Sequence, residues 1–211
     1  MATTTLGIDD ASQWIVLGWR AFKKSIFTWL LLSVFFIVGL FLLNQTPFAG
    51  RMVAALISPA LFAVLLLCAH DLNAERRFST QRLIETFKDP GCVLSLLTLG
   101  LLPFAIVLLQ TLLTLIDFPS VIISLLGLTL WAFAASALFY GLPLVLFEKR
   151  APLEAARHSM RVCLREPVAI STFIAFAFVL LIIAAIPLGL GILVYLPVIA
   201  GATYASYRQV I

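Results

Sequence analysis

Residues 148–167 read EKRAPLEAARHSMRVCLREP, and this basic stretch divides two charge-free runs, 118–147 and 167–207. A shorter edition, ERRFSTQRLIETFKDP, occupies residues 75–90. Both open on a glutamate followed by two basic residues: Glu75, Arg76 and Arg77 in one, Glu148, Lys149 and Arg150 in the other. Both close on a basic residue, an acidic residue and a proline: Lys88, Asp89, Pro90 and Arg165, Glu166, Pro167. The Glu-to-Pro separations are 15 and 19 residues. They differ by four, about one helical turn, so the longer copy keeps the same face toward its surroundings.

The composition says what those surroundings are. Only 11% of the 211 residues are charged, against roughly 25% in a soluble domain, and the mean hydropathy is +1.12. Such a chain cannot cover a water-facing surface. Its charge-free runs span 25–50, 52–70, 91–116, 118–147 and 167–207. A helix needs about 20 residues to cross roughly 30 Å of hydrocarbon. Each of the first four runs makes one span. The last is long enough for two, and Pro187, Gly189 and Gly191 mark the turn between them. The expectation is an all-α polytopic membrane protein: one integral membrane domain, 1–211, of six transmembrane helices in three hairpins. External turns fall near 44–51, 116–120 and 187–191.

Each hairpin is preceded by a segment patterned as an amphipathic cytoplasmic helix lying along the interface. In the third repeat Pro152 suits the first helical position. Leu153, Ala156, Met160, Cys163 and Leu164 form an apolar stripe beside Glu154, Arg157, Arg161 and Arg165. In the second, Ser79 is the expected N-cap; Leu83, Ile84 and Phe87 face one way, Arg82, Glu85, Lys88 and Asp89 the other. In the first, Asp9 or Asp10 is the expected cap. Trp14, Ile15, Gly18 and Phe22 share one face, with Gln13, Arg20, Lys23 and Lys24 on the other. The helices are expected near 10–24, 79–89 and 152–165, and the repeats at 9–70, 75–147 and 148–208.

Six spans put 13 of the 14 Lys and Arg on one side, leaving Arg51 alone opposite. The positive-inside rule makes that side cytoplasmic, with both termini and both charged loops. Asp9 and Asp10 before the first span do not fit a signal-peptide n-region, so that span is expected to stay in the mature protein. The net charge of +4 follows from topology and from attraction to an anionic leaflet. No nucleic-acid partner is implied.

Little in the chain points to chemistry. No ionisable residue falls in the middle of an expected span, where an enzyme or ion-coupled transporter would keep one. No phosphate loop, metalloprotease motif or nucleophile arrangement is found. Gln110 is the largest polar side chain placed deep in a span, read as an interhelical hydrogen bond or as the lining of a substrate path. Ser136 and Tyr140 are positioned to bond across helices in the same way. Cys68, His70, Cys92, His158 and Cys163 gather near the cytoplasmic ends. They have ligand chemistry but no CxxC pair, and the reading taken is of small reduced thiols. No cofactor or metal is assigned. Ala132 and Ser136, Ala137 and Gly141, and Gly201 and Ala205 have the small-xxx-small spacing of close helix contacts, within the chain or with a second copy.

The GWRAF entry (18–22), FEKRAPLEAA (147–156), CLREP (163–167) and the PVIAGATYASYR ending (197–208) resemble a family of uncharacterised bacterial six-span inner-membrane proteins. More distantly they resemble the membrane domain attached to some bacterial glycerophosphodiester phosphodiesterases. The resemblance implies the cytoplasmic membrane of a bacterium and supplies no catalytic residue. The expected function is therefore non-enzymatic: interaction, assembly or membrane organisation through a basic cytoplasmic collar. Arg76, Arg77, Arg82, Arg157, Arg161 and Arg165 are its candidate contacts for anionic lipid headgroups. Another membrane protein, or a second copy, is the other expected partner. A small transporter or channel for a lipidic or weakly polar solute is the alternative.

Overall fold

The computed structural model describes residues 6–46, 48–74 and 78–211. Among the described residues the chain is all-helical: α1 (Ile8–Lys24), α2 (Ile26–Asn44), α3 (Ala49–Asn73), α4 (Thr80–Lys88), α5 (Pro90–Leu115), α6 (Ser120–Glu148), α7 (Pro152–Arg165), α8 (Pro167–Ala185) and α9 (Ile192–Val210). Five of them, α2, α3, α5, α6 and α8, are long and apolar enough to cross a membrane. The expected sixth, α9, forms over 19 residues. It falls outside those five because Thr203, Tyr204, Ser206, Tyr207, Arg208 and Gln209 fill its second half.

The helix ends follow local chemistry. Asp89 caps α5 by accepting the Gly91 N–H at 3.0 Å, with Pro90 in the first turn, where its missing N–H costs nothing. Ser79 does the same for α4, its Oγ accepting the Arg82 N–H at 3.3 Å. At α1 the expectation needs correcting. The N-cap is Gly7, and Asp10 works from inside the first turn, accepting the Gly7 N–H at 2.8 Å. A carboxylate at that position reaches back to the cap N–H, as in half of a capping box. The turns between the long helices fall at 45, 46 and 48, at 116–119 and at 186–191. Asp117 and Leu188 adopt positive φ there.

Two compact units can be distinguished, 1–36 with 64–83 and 161–211, and 37–63 with 84–160. In the first, α1 packs on α8 and α9 and buries Ala11, Trp14, Gly18, Ala21 and Phe22. The crossing with α9 is close because both helices present glycine. A Cβ on Gly18 would stand 2.2 Å from the Val198 carbonyl oxygen, and one on Gly201 would stand 2.9 Å from Gly18 Cα. Trp14 meets Phe173 edge-on at 6.0 Å and donates its indole N–H to Gln209 at 2.6 Å. Gln209 in turn donates to Asp10 at 2.7 Å. The apolar face of α1 is thus a protein-packing face, which hydrophobic periodicity alone does not distinguish from a lipid-facing one.

In the second unit α5 packs on α6, and Gly100 of α5 lets the Leu56 carbonyl of α3 approach to 1.9 Å of where a Cβ would be. Helix α7 meets α6 through Ser159. Its Oγ accepts the Tyr140 N–H at 3.0 Å and donates to the Ser136 carbonyl at 2.5 Å. These are the two groups that an α-helix normally joins to each other, so one hydroxyl bridges a rung of α6, a recognised cause of helix bending. The link expected at Ser136 and Tyr140 is therefore made through their backbones. The Ser136 hydroxyl donates within α6, to the Ala132 carbonyl at 2.9 Å. Gly141 faces Ala155 and Ala156 of α7, so the small residues at 137–141 and 201–205 serve contacts inside the chain.

Candidate functional site

Helix α7 has two faces, and burial separates them differently from polarity. Ala155, Ser159 and Cys163 are buried. Leu153 and Leu164, expected on one stripe with Cys163, instead point away from the protein and are 62% and 78% exposed. At 100° per residue they share one outward arc of about 120° with Arg157, Arg161 and Arg165. All three arginines are exposed. The outer surface of α7 therefore carries two leucines along one edge and three guanidinium groups along the other. That arrangement suits a helix half-sunk in a lipid interface.

The remaining candidates divide. Arg76 and Arg77 lie outside the described residues. Arg82 pairs with Asp71, whose side chain is only 2% exposed while that of Arg82 is 36% exposed. Asp71 also accepts the Ser79 N–H at 3.4 Å. The Arg82 guanidinium is thus held to the end of α3. Beside Asp71 in the chain, the His70 ring contacts Tyr204, with Nδ1 2.9 Å from the phenol oxygen. Lys24 donates to the Leu72 carbonyl at 3.1 Å. Asp71, His70, Tyr204 and Lys24 tie the ends of α1, α3, α4 and α9 together with polar bonds. Asp71 directly follows the charge-free run 52–70, and its only signal in the sequence is the basic Arg82 eleven residues on.

The second unit holds a charged cleft of about 460 Å³ at the start of α5 and the end of α6. Glu85 and Asp89 line it opposite Lys149 and Arg150. Of these, Arg150 is held by carboxylates beside the cleft: it bonds Glu148 at 2.7 Å and lies 3.9 Å from Glu154. Among the described residues, no three of His, Cys, Asp and Glu come together in a metal-binding group. Cys68 and Cys163 are buried, Cys92 half-buried.

Comparison with protein-family models, curated proteins and solved structures gives no match. The functional reading therefore rests on the residues themselves.

Proposed function

We propose that the protein is a non-enzymatic, six-span component of the bacterial cytoplasmic membrane, with both termini inside, that organises lipid or a membrane partner on a basic cytoplasmic collar. The outward face of α7 carries this reading, because Leu153 and Leu164 lie beside Arg157, Arg161 and Arg165. Leucine enters the acyl boundary while arginine stays at the phosphates.

Two further observations support the six-span repeat within this reading. The short helices α1, α4 and α7 each precede two long ones. Each also engages the second long helix of a repeat: α4 through Arg82 on α3, α7 through Ser159 on α6, α1 through Gly18 on α9. Helix α9 measures about 28 Å by its rise per residue, close to the hydrocarbon thickness. Its Thr203, Tyr204 and Ser206 are buried, so their polarity costs little in lipid. Single cysteines introduced at Thr80 or Glu154 in a cysteine-free background should label only in broken cells. Cysteines at Asp117 or Leu188 should label in intact cells. Labelling of Glu154→Cys from outside would overturn the topology.

Each basic residue near an anionic surface contributes on the order of 1 kcal/mol. The triple variant Arg157→Gln, Arg161→Gln, Arg165→Gln is therefore expected to weaken binding to anionic vesicles by roughly two orders of magnitude. The other cytoplasmic Lys and Arg keep the orientation. Unchanged vesicle binding and unchanged partner recovery, with topology intact, would remove the collar from the account. A small transporter or channel for a lipidic or weakly polar solute is the second reading, favoured by a largely apolar cavity that also carries the polar side chains of Arg51 and Gln110.

A further inference from the structure

That cavity, at the opposite ends of the long helices from the collar, is lined in part by polar groups that have no hydrogen-bonding protein partner among the described residues. It measures about 520 Å³ within the second unit, bordered by the end of α2, the first half of α3, the second half of α5 and the start of α6. Arg51 stands in the first turn of α3 and is exposed. Among the described residues it has no acidic partner; its guanidinium lies 5.8 Å from the Phe48 ring centre. Gln110 is five residues, about 8 Å, in from the end of α5. Its amide rests on Gly127 of α6, where Nε2 is 2.3 Å from the position of an added Cβ. Among the described residues that amide forms no hydrogen bond, so the interhelical bond expected of it is not made.

The Asn, Ser and Thr side chains of the cavity each already make one hydrogen bond within their own helix. Asn44 donates to the Leu40 carbonyl at 2.7 Å, and Ser58, Thr111 and Thr114 donate to carbonyls of their own helices at 2.7–2.9 Å. Their hydroxyl oxygens retain only acceptor capacity. Among the described residues the open donors are the Arg51 cation near the helix ends, the Gln110 amide about one and a half turns deeper, the second Asn44 amide N–H and the Trp131 indole N–H, in a cavity whose wall also carries Val107 and Ile123. We infer that this cavity binds an anionic amphiphile: a phosphate or carboxylate on Arg51, a carbonyl of its ester or amide linkage on the Gln110 Nε2, and an apolar chain along Trp131. Guanidinium favours such oxyanions through paired, charge-assisted hydrogen bonds. A deep amide with a free donor gains by meeting a carbonyl. The inference does not rest on the collar, since none of these residues belongs to α7.

The test uses the full chain in a mild neutral detergent, with native mass spectrometry counting bound molecules. The probes are phosphatidylglycerol, diacylglycerol of the same chains, and inorganic phosphate. Wild type should hold about one phosphatidylglycerol in preference to diacylglycerol. Arg51→Gln should weaken it roughly tenfold or more, the scale of one charged hydrogen bond. Arg51→Lys should retain most of the binding, and Gln110→Leu should lose less than Arg51→Gln. Arg51 is exposed and, among the described residues, has no ion pair, so its variants should melt like wild type. Equal binding by wild type and Arg51→Gln would overturn the assignment. Effective competition by inorganic phosphate would also overturn it, by assigning the site to a free anion.

Discussion

Replacing Gly18 by alanine is expected to lower the melting temperature of the detergent-solubilised protein by roughly 6–12 °C, corresponding to about 3 kcal/mol in a chain of this size. The added methyl would stand 2.2 Å from the Val198 carbonyl oxygen, 2.8 Å from the Ala202 nitrogen and 3.1 Å from the Ala202 Cβ. The first two obstacles are backbone, which no rotamer change can move aside. Helix α1 must therefore withdraw from α9 along the face that buries Ala11, Trp14, Ala21 and Phe22. Overpacking of this kind costs about 1–3 kcal/mol when side chains can yield, so a backbone clash belongs at the upper end. Gly18→Leu should prevent recovery of folded protein. The internal control is Gly39 on α2, where an added Cβ meets nothing within 4 Å. Gly39→Ala should match or slightly exceed wild-type stability, since alanine is the better helix former by about 1 kcal/mol. If Gly18→Ala and Gly39→Ala melt together, the α1–α9 crossing is not as close as described.

This contrast also marks how far the sequence could be read. Hydropathy runs and the bordering prolines located the helices well, because Pro90, Pro152 and Pro167 each begin one, and proline at a helix start follows from backbone chemistry. Gly18 was visible on the apolar face of α1, but its role depends on Gly201, 183 residues away, and no local pattern joins them. The same holds for Ser159. A serine on an amphipathic helix reads as a solvated residue until α6 supplies the Tyr140 N–H and the Ser136 carbonyl. Leu153 and Leu164 mislead in the other sense. Periodicity puts them with Cys163 as apolar, yet only a neighbouring helix can decide which part of a wide apolar arc meets protein. For the collar, the arginine spacing on α7 was legible, whereas the attachment of Arg82 to Asp71 was not. That bond joins residues eleven apart on two different helices, and no local pattern pairs them. The cavity of Arg51 and Gln110 draws on four helices, so the sequence offered its polar residues singly and not as a set.

The second large effect is expected at Asp71, as an asymmetry between the two partners of its ion pair. Removing Arg82 as Arg82→Gln leaves a carboxylate that is 2% exposed, to which, among the described residues, the Ser79 N–H is still directed at 3.4 Å. Losing one partner of a fully buried pair costs about 3–5 kcal/mol. The Arg82 side chain is 36% exposed and solvent screens part of the interaction, so about 2 kcal/mol is expected. Asp71→Asn removes the charge that needs compensation and leaves Arg82 to reach water, at a cost of about 1 kcal/mol. The double variant should then be no less stable than Arg82→Gln alone, because its buried group is neutral. Thermal melts of the four proteins measure this coupling directly. Single effects that are equal and strictly additive would mean that the Asp71 carboxylate is not buried against Arg82. In that case Arg82 would be free to join Arg157, Arg161 and Arg165 at the membrane surface. With the coupling present, Arg82 instead holds the start of α4 to the end of α3, and the proposal of headgroup binding rests on the arginines of α7.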